Sequence, residues 1–450
     1  MKENAIRDAR ELGVPKMLLL GVQHMFAMFG ATILVPIIVS SAYGLPLNIQ
    51  TTLFFAGVGT LFFHLCSKMK VPAFLGSSFA FLGGFETMSK MDQGIYAGMS
   101  PEDKLAYACG GIVVAGLLYL VLALLVKVVG VRKVMRFLPP VVTGPIIICI
   151  GLNLAPSAVS NAAQCWPLAL IALAVIIIFN IWGKGMLKII PILLGVVISY
   201  IAAVIMNACG MTNADGSAIL DFASIAQAGW LGLPPIQIAK FDISAILVMA
   251  PIAIAAMMEH IGDMSAISAT VGENFIEDPG LHRTLIGDGL ATTLSAMFGG
   301  PANTTYGENT GVLVLSRVFD PRVIRLAAIY AVVLGFIPKM AGVIGSMPTA
   351  IVGGISFMLY GMISAIGVRN IVENQVDFTN SRNLIIAAVI LVCGLGFSGG
   401  LTFNIGGTSV TLTALAIAAI AGIILNAILP GNDYEFGANP SGDQHRGIHQ

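Results

Sequence analysis

The sequence predicts an all-α polytopic membrane protein with fourteen transmembrane segments. Of its 450 residues, 57% are hydrophobic and only 10% are charged, and the mean hydropathy is +0.90. A soluble domain of this length is far less apolar. Apolar segments of spanning length recur along the chain, and they lack the ten-residue alternation of a membrane β-barrel. The composition therefore predicts a bundle of helices in a lipid bilayer.

The number of predicted segments agrees with the distribution of positive charge. They lie near residues 17–40, 50–66, 72–89, 105–129, 140–155, 166–183, 189–208, 243–262, 284–299, 302–316, 322–342, 348–366, 383–398 and 408–428. Fourteen spans place both termini on one side, which then carries 19 of the 23 lysines and arginines, against 4 on the other. Because positive loops stay cytoplasmic, both termini are predicted to face the cytoplasm from the cell (inner) membrane.

A long polar connection at 209–242 divides the segments into two groups of seven. Halves with an odd number of spans are inserted with opposite orientations, so the sequence predicts two inverted repeats, as in many transporters. A weak internal match supports this pairing. A Pro-Ala pair opens the third segment at Pro72 and the tenth at Pro301, and seven residues beyond these prolines come Phe79 and Glu308.

The stretches after these prolines, PAFLGSSFAFLGG and PANTTYGENTG, are poor continuous helices. They are rich in glycine, serine, threonine, asparagine and aromatic residues, which loosen a helix or favour extended backbone. Irregular backbone at membrane depth occurs only where it is buried in protein or lines a cavity. We therefore predict short extended pieces in spans 3 and 10, each followed by a half-helix, at a substrate site.

Two carboxylates stand out within apolar segments. Glu259 follows the run ISAILVMAPIAIAAMM, and Glu308 lies in the second broken stretch. A charge inside a bilayer costs several kcal/mol, so such residues usually serve a ligand or an ion path. A structural ion pair is the alternative, but neither segment contains a lysine or arginine. Both residues are predicted to bind substrate.

Four other polar residues within or next to apolar segments are candidates for coupling or structural roles. His260 points about 100° around the helix from it, so a role in proton coupling and a packed core position are equally consistent. Asp263, one turn further on, continues a proton path or caps the segment. Asp288 in the ninth segment is either a helix N-terminal residue or a tether for the site. His24 in the first segment is predicted to be a hydrogen-bonded structural partner.

The pattern of acids and aromatics also restricts the ligand. An anion would be repelled by two carboxylates, whereas a neutral flat heterocycle with N–H donors would be matched. Backbone amides near Phe79 and Gly307 would donate to its carbonyl groups, and aromatic residues would cover its face. A buried carboxylate can also carry a proton together with the ligand. These residues therefore favour a proton-coupled importer of a flat polar ring.

The same residues resemble the nucleobase-ascorbate transporter family, and most closely its bacterial members that carry uracil. The matching strings are QHMFAMFGAT at 23–32, PAFLGSSFAF at 72–81, EHIG at 259–262 and YGENTGV at 306–312. The resemblance extends over residues 10–428. It implies uracil as the substrate, a proton as the coupling ion with no other cofactor, alternating access as the mechanism, and a homodimer in the bilayer.

The resemblance also implies a division into two domains. The core domain would comprise residues 1–129, with spans 1–4, and 243–345, with spans 8–11. The gate domain would comprise residues 130–242, with spans 5–7, and 346–430, with spans 12–14. Residues 431–450 are predicted to form a disordered tail. The substrate would lie between spans 3 and 10.

Site residues carry over by position. The resemblance implies that Glu259 and Glu308 bond the base, that Phe79 and Gly307 contribute backbone groups, that Ala31, Tyr306 and Tyr360 line the pocket, and that Asn309 braces the tenth span. Glutamine tends to stand at position 308 in similar purine permeases, so Glu308 favours uracil. Position 263 is aspartate where some uracil permeases have histidine, which leaves the proton-coupling residues open among Glu259, His260, Asp263 and Asp288.

Alternative functions are a xanthine or other purine permease and, in a different class, an anion transporter of similar fold. An anion site should present helix N-termini or cations without carboxylates, so the two glutamates disfavour it. The six cysteines are scattered without a metal-ligand or disulfide spacing. The net charge of zero disfavours a nucleic-acid partner. Enzyme motifs such as HExxH are missing from the sequence.

Overall fold

The computed structural model describes residues 5–92, 94–184, 186–220, 222–397, 399–405, 408–431 and 434. Seven of the described helices are long and apolar enough to cross a bilayer, and three shorter apolar helices accompany them. The prediction of a helical, multi-pass membrane protein is thus confirmed. The total of fourteen spans stays a prediction. Most of the tail predicted to be disordered lies outside the described residues.

The described helices and strands, in chain order, are as follows. The helices are α1 (Val14–Ser41), α2 (Ile49–Cys66), α3 (Leu82–Lys90), α4 (Pro101–Val129), α5 (Val131–Met135), α6 (Pro140–Ala162), α7 (Trp166–Trp182), α8 (Met186–Ile189), α9 (Pro191–Ala208), α10 (Ala223–Gln227), α11 (Ile243–Met249), α12 (Ile252–Val271), α13 (Leu281–Met297), α14 (Gly307–Ser316), α15 (Pro321–Gly335), α16 (Pro338–Gly345), α17 (Thr349–Glu373), α18 (Ser381–Gly396) and α19 (Ala414–Ile428). The strands are β1 (Leu75–Ser77), β2 (Asn303–Thr305), β3 (Leu401–Ile405) and β4 (Thr408–Leu412). Short helical turns occupy Ala9–Leu12, Phe79–Phe81, Gly94–Tyr96 and Ile276–Gly280.

Polar caps define where several helices begin. The side chain of Asn48 accepts hydrogen bonds from the backbone N–H groups of Gln50 and Thr51 at 2.8 and 3.1 Å, which starts α2. Asp320 does the same for α15, and Asn380 for α18. Such caps satisfy N–H groups that have no acceptor within the helix. They fix the helix ends even where the apolar stretch alone does not define a boundary.

The helices pack into two groups, and most contacts lie within a group rather than between the groups. In one group, α1, α2, α4, α11, α12, α13 and α15 pack together, with α4 against α13 and α2 against α15 as its largest contacts. In the other, α6 packs on α17, α18 and α19, and α7 packs on α9 and α17. Glycines allow these close approaches: a Cβ at Gly116 of α4 would lie 2.7 Å from the carbonyl oxygen of Gly289 in α13.

Two predicted spans are interrupted at a proline, the first within one apolar span of 29 residues (Ile243–Val271) and the second at a sharp bend. The predicted segment 243–262 is α11 followed by α12, with the break before Pro251, and α12 continues to Val271. The predicted segment 322–342 is α15 followed by α16, and the two helices meet at an angle of 85°. Proline lacks the N–H needed to continue a helix and clashes with the preceding turn, which accounts for the breaks before Pro251 and Pro338.

The last predicted span, 408–428, is wrong at its start. Residues 401–405 and 408–412 form the antiparallel strand pair β3–β4, and α19 begins only at Ala414. Both strands, LTFNI and TSVTL, are rich in β-branched residues, which suit extended backbone better than helix. Strand β4 packs against α11, so this strand pair joins the two groups of helices. These two strands therefore depart from the all-α prediction, in addition to the extended pieces expected in spans 3 and 10.

The connection between the predicted halves is less polar than expected. Trp230, Leu231 and Leu233 are 77 to 82% exposed. Its backbone crosses the ends of several helices: the N–H of Gly232 donates to the carbonyl of Phe336 at 3.0 Å, and those of Gln237 and Ala239 donate to Phe298 and Met297. The connection thus holds together the helix ends on one face of the protein.

Candidate functional site

The two broken stretches meet in the structure. Strands β1 and β2 pair antiparallel, although they are separated by more than 200 residues in the chain. Their residues are fully buried, which agrees with the expectation that irregular backbone at membrane depth is enclosed by protein. The prediction of short extended pieces followed by half-helices is confirmed. The partners in register are Leu75 with Thr305, Gly76 with Thr304 and Ser77 with Asn303.

The hydrogen bonds around this strand pair follow a local two-fold relation. The N–H of Ser78 donates to the carbonyl of Ala302 at 2.8 Å, and the N–H of Tyr306 donates to the carbonyl of Phe74 at 3.0 Å. In both halves the residue after this donor opens a helical turn, at Phe79 and at Gly307. Because the first N–H groups of a helix have no acceptor within it, each half presents backbone donors at the end of its strand.

A threonine hydroxyl secures the first residue of each strand. In the first half, Thr60 of α2 accepts a hydrogen bond from the N–H of Leu75 at 2.9 Å and lies 3.1 Å from its carbonyl oxygen. In the second half, Thr292 of α13 accepts from the N–H of Asn303 at 3.1 Å and donates to its carbonyl at 2.9 Å. Each threonine belongs to the α-helix that precedes its strand, so the two arrangements correspond.

We expect Thr60→Val or Thr292→Val to destabilise the strand pair. Either change removes the hydroxyl without changing the size of the side chain, and leaves a buried N–H unpaired. The cost of such a group is about 1–3 kcal/mol, so the thermal unfolding temperature in detergent should fall. Thr60→Ser, which keeps the hydroxyl, should unfold close to the wild type. Thr270→Val is a matched control, because its hydroxyl bonds only the carbonyl of Ala266 in its own helix. Equal unfolding temperatures for all four variants would contradict this role.

Both predicted glutamates lie beside the strand pair. Glu259 is half-buried on α12, and its Oε2 is enclosed without a hydrogen bond to any residue that the structure describes. Glu308 is half-buried in the first turn of α14. Their charges are close enough to interact. The acids predicted to bind substrate are therefore brought to one place, where Glu259 retains an unused acceptor and Glu308 sits at the favourable end of a helix dipole.

Asp263 belongs to the same cluster of acids. Its Oδ2 accepts a hydrogen bond from the Thr305 hydroxyl at 2.8 Å, which connects α12 to the last residue of β2. A Cβ built on Gly307 would lie 3.8 Å from its Oδ1, so the aspartate also borders the start of α14. The side chain is 8% exposed and interacts electrostatically with Glu308. It lies inside α12, one residue beyond the predicted span 243–262 and two turns before the helix ends at Val271, and not at a surface cap.

His260 faces a different side of α12 from Glu259. Its Nδ1 lies 2.9 Å from Oδ2 of Asp288, and both side chains are completely buried. The two atoms are close enough for an ion pair but are outside hydrogen-bond geometry. Because α13 begins at Leu281, Asp288 lies two turns inside the helix and not at its N-terminus, as one alternative supposed. The buried hydroxyl of Tyr119 adds a third polar group, whose interaction with Asp288 is electrostatic.

The predicted support residues contact each other between α1 and α14. The Nδ2 of Asn309 donates to the carbonyl oxygen of His24 at 3.0 Å and lies 3.3 Å from its Nδ1. Both side chains are fully buried. This bond ties the first turn of α14, next to Glu308, to the middle of α1.

The predicted aromatic residues have different surroundings. Phe79 packs edge-to-face on Tyr360 of α17, with ring centroids 6.1 Å apart, and this contact joins the two groups of helices. Ala31 is completely buried on α1. Tyr306 instead spans the strand pair: its hydroxyl donates to the carbonyl of Ser77 at 2.8 Å. The ring lies against Gly76, where an added Cβ would overlap it.

Several polar residues at the site were not singled out from the sequence. Thr305 bonds Asp263, Thr60 and Thr292 secure the strands, and Ser77 donates to the carbonyl of Thr32 at 2.7 Å. Their common signal is a small hydroxyl in an apolar segment, which also occurs at many helix positions where the side chain bonds its own helix. Only the three-dimensional contacts distinguish these uses.

Comparison with known proteins identifies the family. The sequence model described as the Permease family matches residues 15–402. The chain belongs to this family. It corresponds to the nucleobase-ascorbate transporter resemblance noted above, which is thereby confirmed. The permease is accordingly a membrane transport protein and not an enzyme.

Relatives of known name cover nearly the whole permease. It is 41% identical over 427 residues to the uracil permease of Bacillus caldolyticus, covering 92% of this chain and 91% of that one. It is 40% identical over 428 residues to the uracil permease of Bacillus subtilis strain 168, covering 91% of each. Among solved structures, the transmembrane domain of the cyanobacterium bicarbonate transporter BicA superposes with a TM-score of 0.62 at 18% identity, covering 92% of this chain and 99% of that one. This last likeness concerns the fold alone.

Proposed function

We propose that this permease imports uracil into the cytoplasm together with a proton by alternating access. The observation that carries the proposal is the convergence of Glu259 and Glu308 on two half-helix N-termini that are joined by one buried strand pair. Each half contributes backbone donors and the site contributes acidic acceptors. The two Bacillus relatives, which are uracil permeases, support a substrate of this kind.

The chemistry of uracil matches this set of groups. The ring has two N–H donors, which the carboxylates of Glu259 and Glu308 accept, and two carbonyl oxygens, which the N–H groups near Phe79 and Gly307 bond. The rings of Phe79 and Tyr360 border the site, and Ala31 and Tyr306 complete its lining. A sulfate-like anion has no donors to offer and is repelled by the acids.

The proposal includes fourteen spans in two inverted halves. Support comes from the two-fold relation at the site, where Thr60 and Thr292 hold equivalent strand residues from the preceding helix of each half. With seven spans in each half, both termini would lie on the side that carries most of the lysines and arginines, so the proposal includes cytoplasmic termini and a location in the inner membrane. The homodimer implied by the resemblance belongs to the same proposal.

Movement of a core domain against a gate domain would give alternating access. The packing supports this division, because helices α1–α4 and α11–α15 contact mainly one another, as do α6–α9 and α17–α19. The two strands and both glutamates lie in the core, while Tyr360 lies in the gate. The contact of Phe79 with Tyr360 is then a point where the domains separate when the site opens.

Proton coupling is assigned to the acids of the core. Glu259 and Asp263 lie one helical turn apart and interact electrostatically, so a proton on one influences the other. The buried pair of His260 and Asp288 lies behind them on the same helix and its neighbour. Protonation of Glu259 during transport would neutralise a charge that is otherwise enclosed, which makes the loaded carrier easier to reorient.

Uptake into proteoliposomes tests the proposal. We expect an imposed inward proton gradient to drive accumulation of radiolabelled uracil, and an uncoupler to reduce it to equilibration. Unlabelled uracil should compete, whereas xanthine and sulfate should not. Competition by xanthine would indicate that the substrate is a purine. Inhibition by sulfate would favour an anion transporter. Uracil uptake that does not depend on the proton gradient would contradict proton coupling. It would still support uracil as the substrate.

A further inference from the structure

A basic cavity lies away from the substrate site, where α2 and α4 end and α13 begins. It has a volume of about 230 Å³. Cys66 closes the end of α2, Lys127 reaches in from the last turn of α4, and His282 and Arg283 come from the first turn of α13, with Ile286 as the apolar wall. Three cationic or titratable side chains from two helices thus converge on one cavity.

The positive charge of this cavity is not neutralised by nearby acids. Lys127, His282 and Arg283 form no ion pair with a carboxylate of the described residues, and neither does the neighbouring Lys68. Other cations on the same face behave differently: Lys70 pairs with Asp278, and Arg7 pairs with Glu273. The contrast indicates a position where a negative charge from outside the chain would be favoured.

The excess of positive charge also affects the pKa of His282. Partial burial lowers the pKa of its imidazole, and the cations of Arg283, Lys127 and Lys68 lower it further. Arg283 uses one nitrogen to approach the carbonyl oxygen of Cys66 at 3.4 Å and retains its other donors. A guanidinium with free donors next to an ammonium group is a suitable partner for a phosphate.

The surroundings of the cavity are those of a lipid site. Val121, Leu124 and Val128 of α4 are 55, 61 and 74% exposed and form one stripe that runs to Lys127. Leu65, beside Cys66, is 62% exposed on α2. The basic cavity is therefore continuous with an aliphatic surface of a membrane-spanning helix, as a phospholipid with its headgroup in the cavity and its acyl chains along α4 would require.

We infer that this cavity, lined by Cys66, Lys127, His282, Arg283 and Ile286, binds the phosphate-bearing headgroup of an anionic phospholipid. Basic pockets between transmembrane helices are typical recognition sites for such headgroups. The apolar stripe on α4 selects a lipid over a soluble phosphate, because a free anion would make no use of it. The site is independent of the substrate-binding acids and of the transport proposal.

Binding of short-chain phosphatidylglycerol to the full-length purified protein tests this inference. We expect Lys127→Gln/Arg283→Gln to weaken binding roughly thirtyfold, since each cation near a membrane surface contributes about fivefold. Lys68→Gln/Lys127→Gln, which changes only exposed lysines and keeps the bond of Arg283 to α2, should also weaken binding several-fold. Arg132→Gln/Lys133→Gln removes two exposed charges just beyond α4 that do not line the cavity, and should bind as the wild type does.

Two ligand controls separate the possible sources of binding. Phosphatidylethanolamine, which has no net charge, and inorganic phosphate, which has no acyl chains, should each bind far more weakly than phosphatidylglycerol. Equal binding of inorganic phosphate would make the cavity a soluble-anion site and overturn the inference. It would also be overturned if the cavity variants bound phosphatidylglycerol normally, or if the control variant lost as much affinity as they did.

Discussion

Replacement of Glu259 or Glu308 by glutamine is expected to abolish proton-driven uptake of uracil at low concentration while the protein remains folded in the membrane. Glu259→Gln keeps the shape of the side chain but replaces one acceptor oxygen by a donor, so a bond to a uracil N–H is lost and an unfavourable donor faces it. Charge-assisted hydrogen bonds contribute about 1.5–3 kcal/mol. Uracil affinity should therefore fall by at least tenfold, and uptake at low uracil concentration should fall below detection.

The two substitutions are expected to differ in how the residual transport depends on protons. Glu308→Gln retains every acid of α12, so the residual transport at high uracil concentration should still respond to the proton gradient. Glu259→Gln removes the acid assigned to coupling, so residual exchange of internal for external uracil should no longer depend on pH. Equilibrium binding, gradient-driven uptake and counterflow measured on the same preparations distinguish these losses.

A matched control is available on the half-helix of the other repeat. Glu86 on α3 forms an ion pair with Lys90 at 2.6 Å near the protein surface, away from the strand pair. Glu86→Gln is the same chemical change and should leave uptake unaltered, because exposed pairs of this kind contribute little. Normal uptake by Glu259→Gln or Glu308→Gln would remove that residue from the mechanism. A loss of uptake in all three variants would point to a general effect on folding.

The sequence was sufficient to locate the acids and the breaks. An isolated carboxylate in an apolar segment, as at Glu259, is costly enough to be noticed without a structure. The stretches after Pro72, with glycine and serine, and after Pro301, with glycine, threonine and asparagine, are equally visible, because they combine poor helix formers at membrane depth. The strong signals are thus those in which a residue type conflicts with a lipid environment.

The contacts that organise the site could not be obtained in this way. The pairing of β1 with β2 joins distant parts of the chain, and no local pattern specifies the register of Gly76 with Thr304. The bond between Thr305 and Asp263 is likewise a consequence of tertiary packing. The strand pair β3–β4 was missed for a different reason: β4 leads directly into the apolar residues of α19, so it resembles the start of a span.

Gly76→Ala adds a single methyl group at the strand pair and is expected to cause a large loss of both stability and uracil binding. The Cβ would overlap the ring of Tyr306 and would lie 2.6 Å from the Thr32 hydroxyl. Tyr306 cannot move aside without breaking the bond of its hydroxyl to the carbonyl of Ser77, the residue beside Gly76. Overpacking of this kind costs about 1–3 kcal/mol. The strain falls on the strand pair that positions the donors near Phe79.

We expect Gly76→Ala to lower the thermal unfolding temperature and to reduce uracil binding by at least tenfold. Gly83→Ala and Gly311→Ala are the controls, because a Cβ at either position meets no atom within 4 Å and each lies on the half-helix that follows a strand. Both should bind uracil normally, with unchanged or slightly raised stability. A double variant, Gly76→Ala/Tyr306→Leu, removes the ring that obstructs the methyl group and should recover part of the lost stability.

The double variant separates two roles of Tyr306. If the tyrosine acts mainly as a brace across the strands, relief of the overlap should restore stability together with part of the uracil binding. If its ring also stacks on the substrate, stability should return while binding stays weak. A double variant as unstable as Gly76→Ala would instead place the critical contact at Thr32, on the α1 side of the strand pair. Each result assigns the close approach at Gly76 to a different neighbour, and the position tolerates only glycine as long as both neighbours remain.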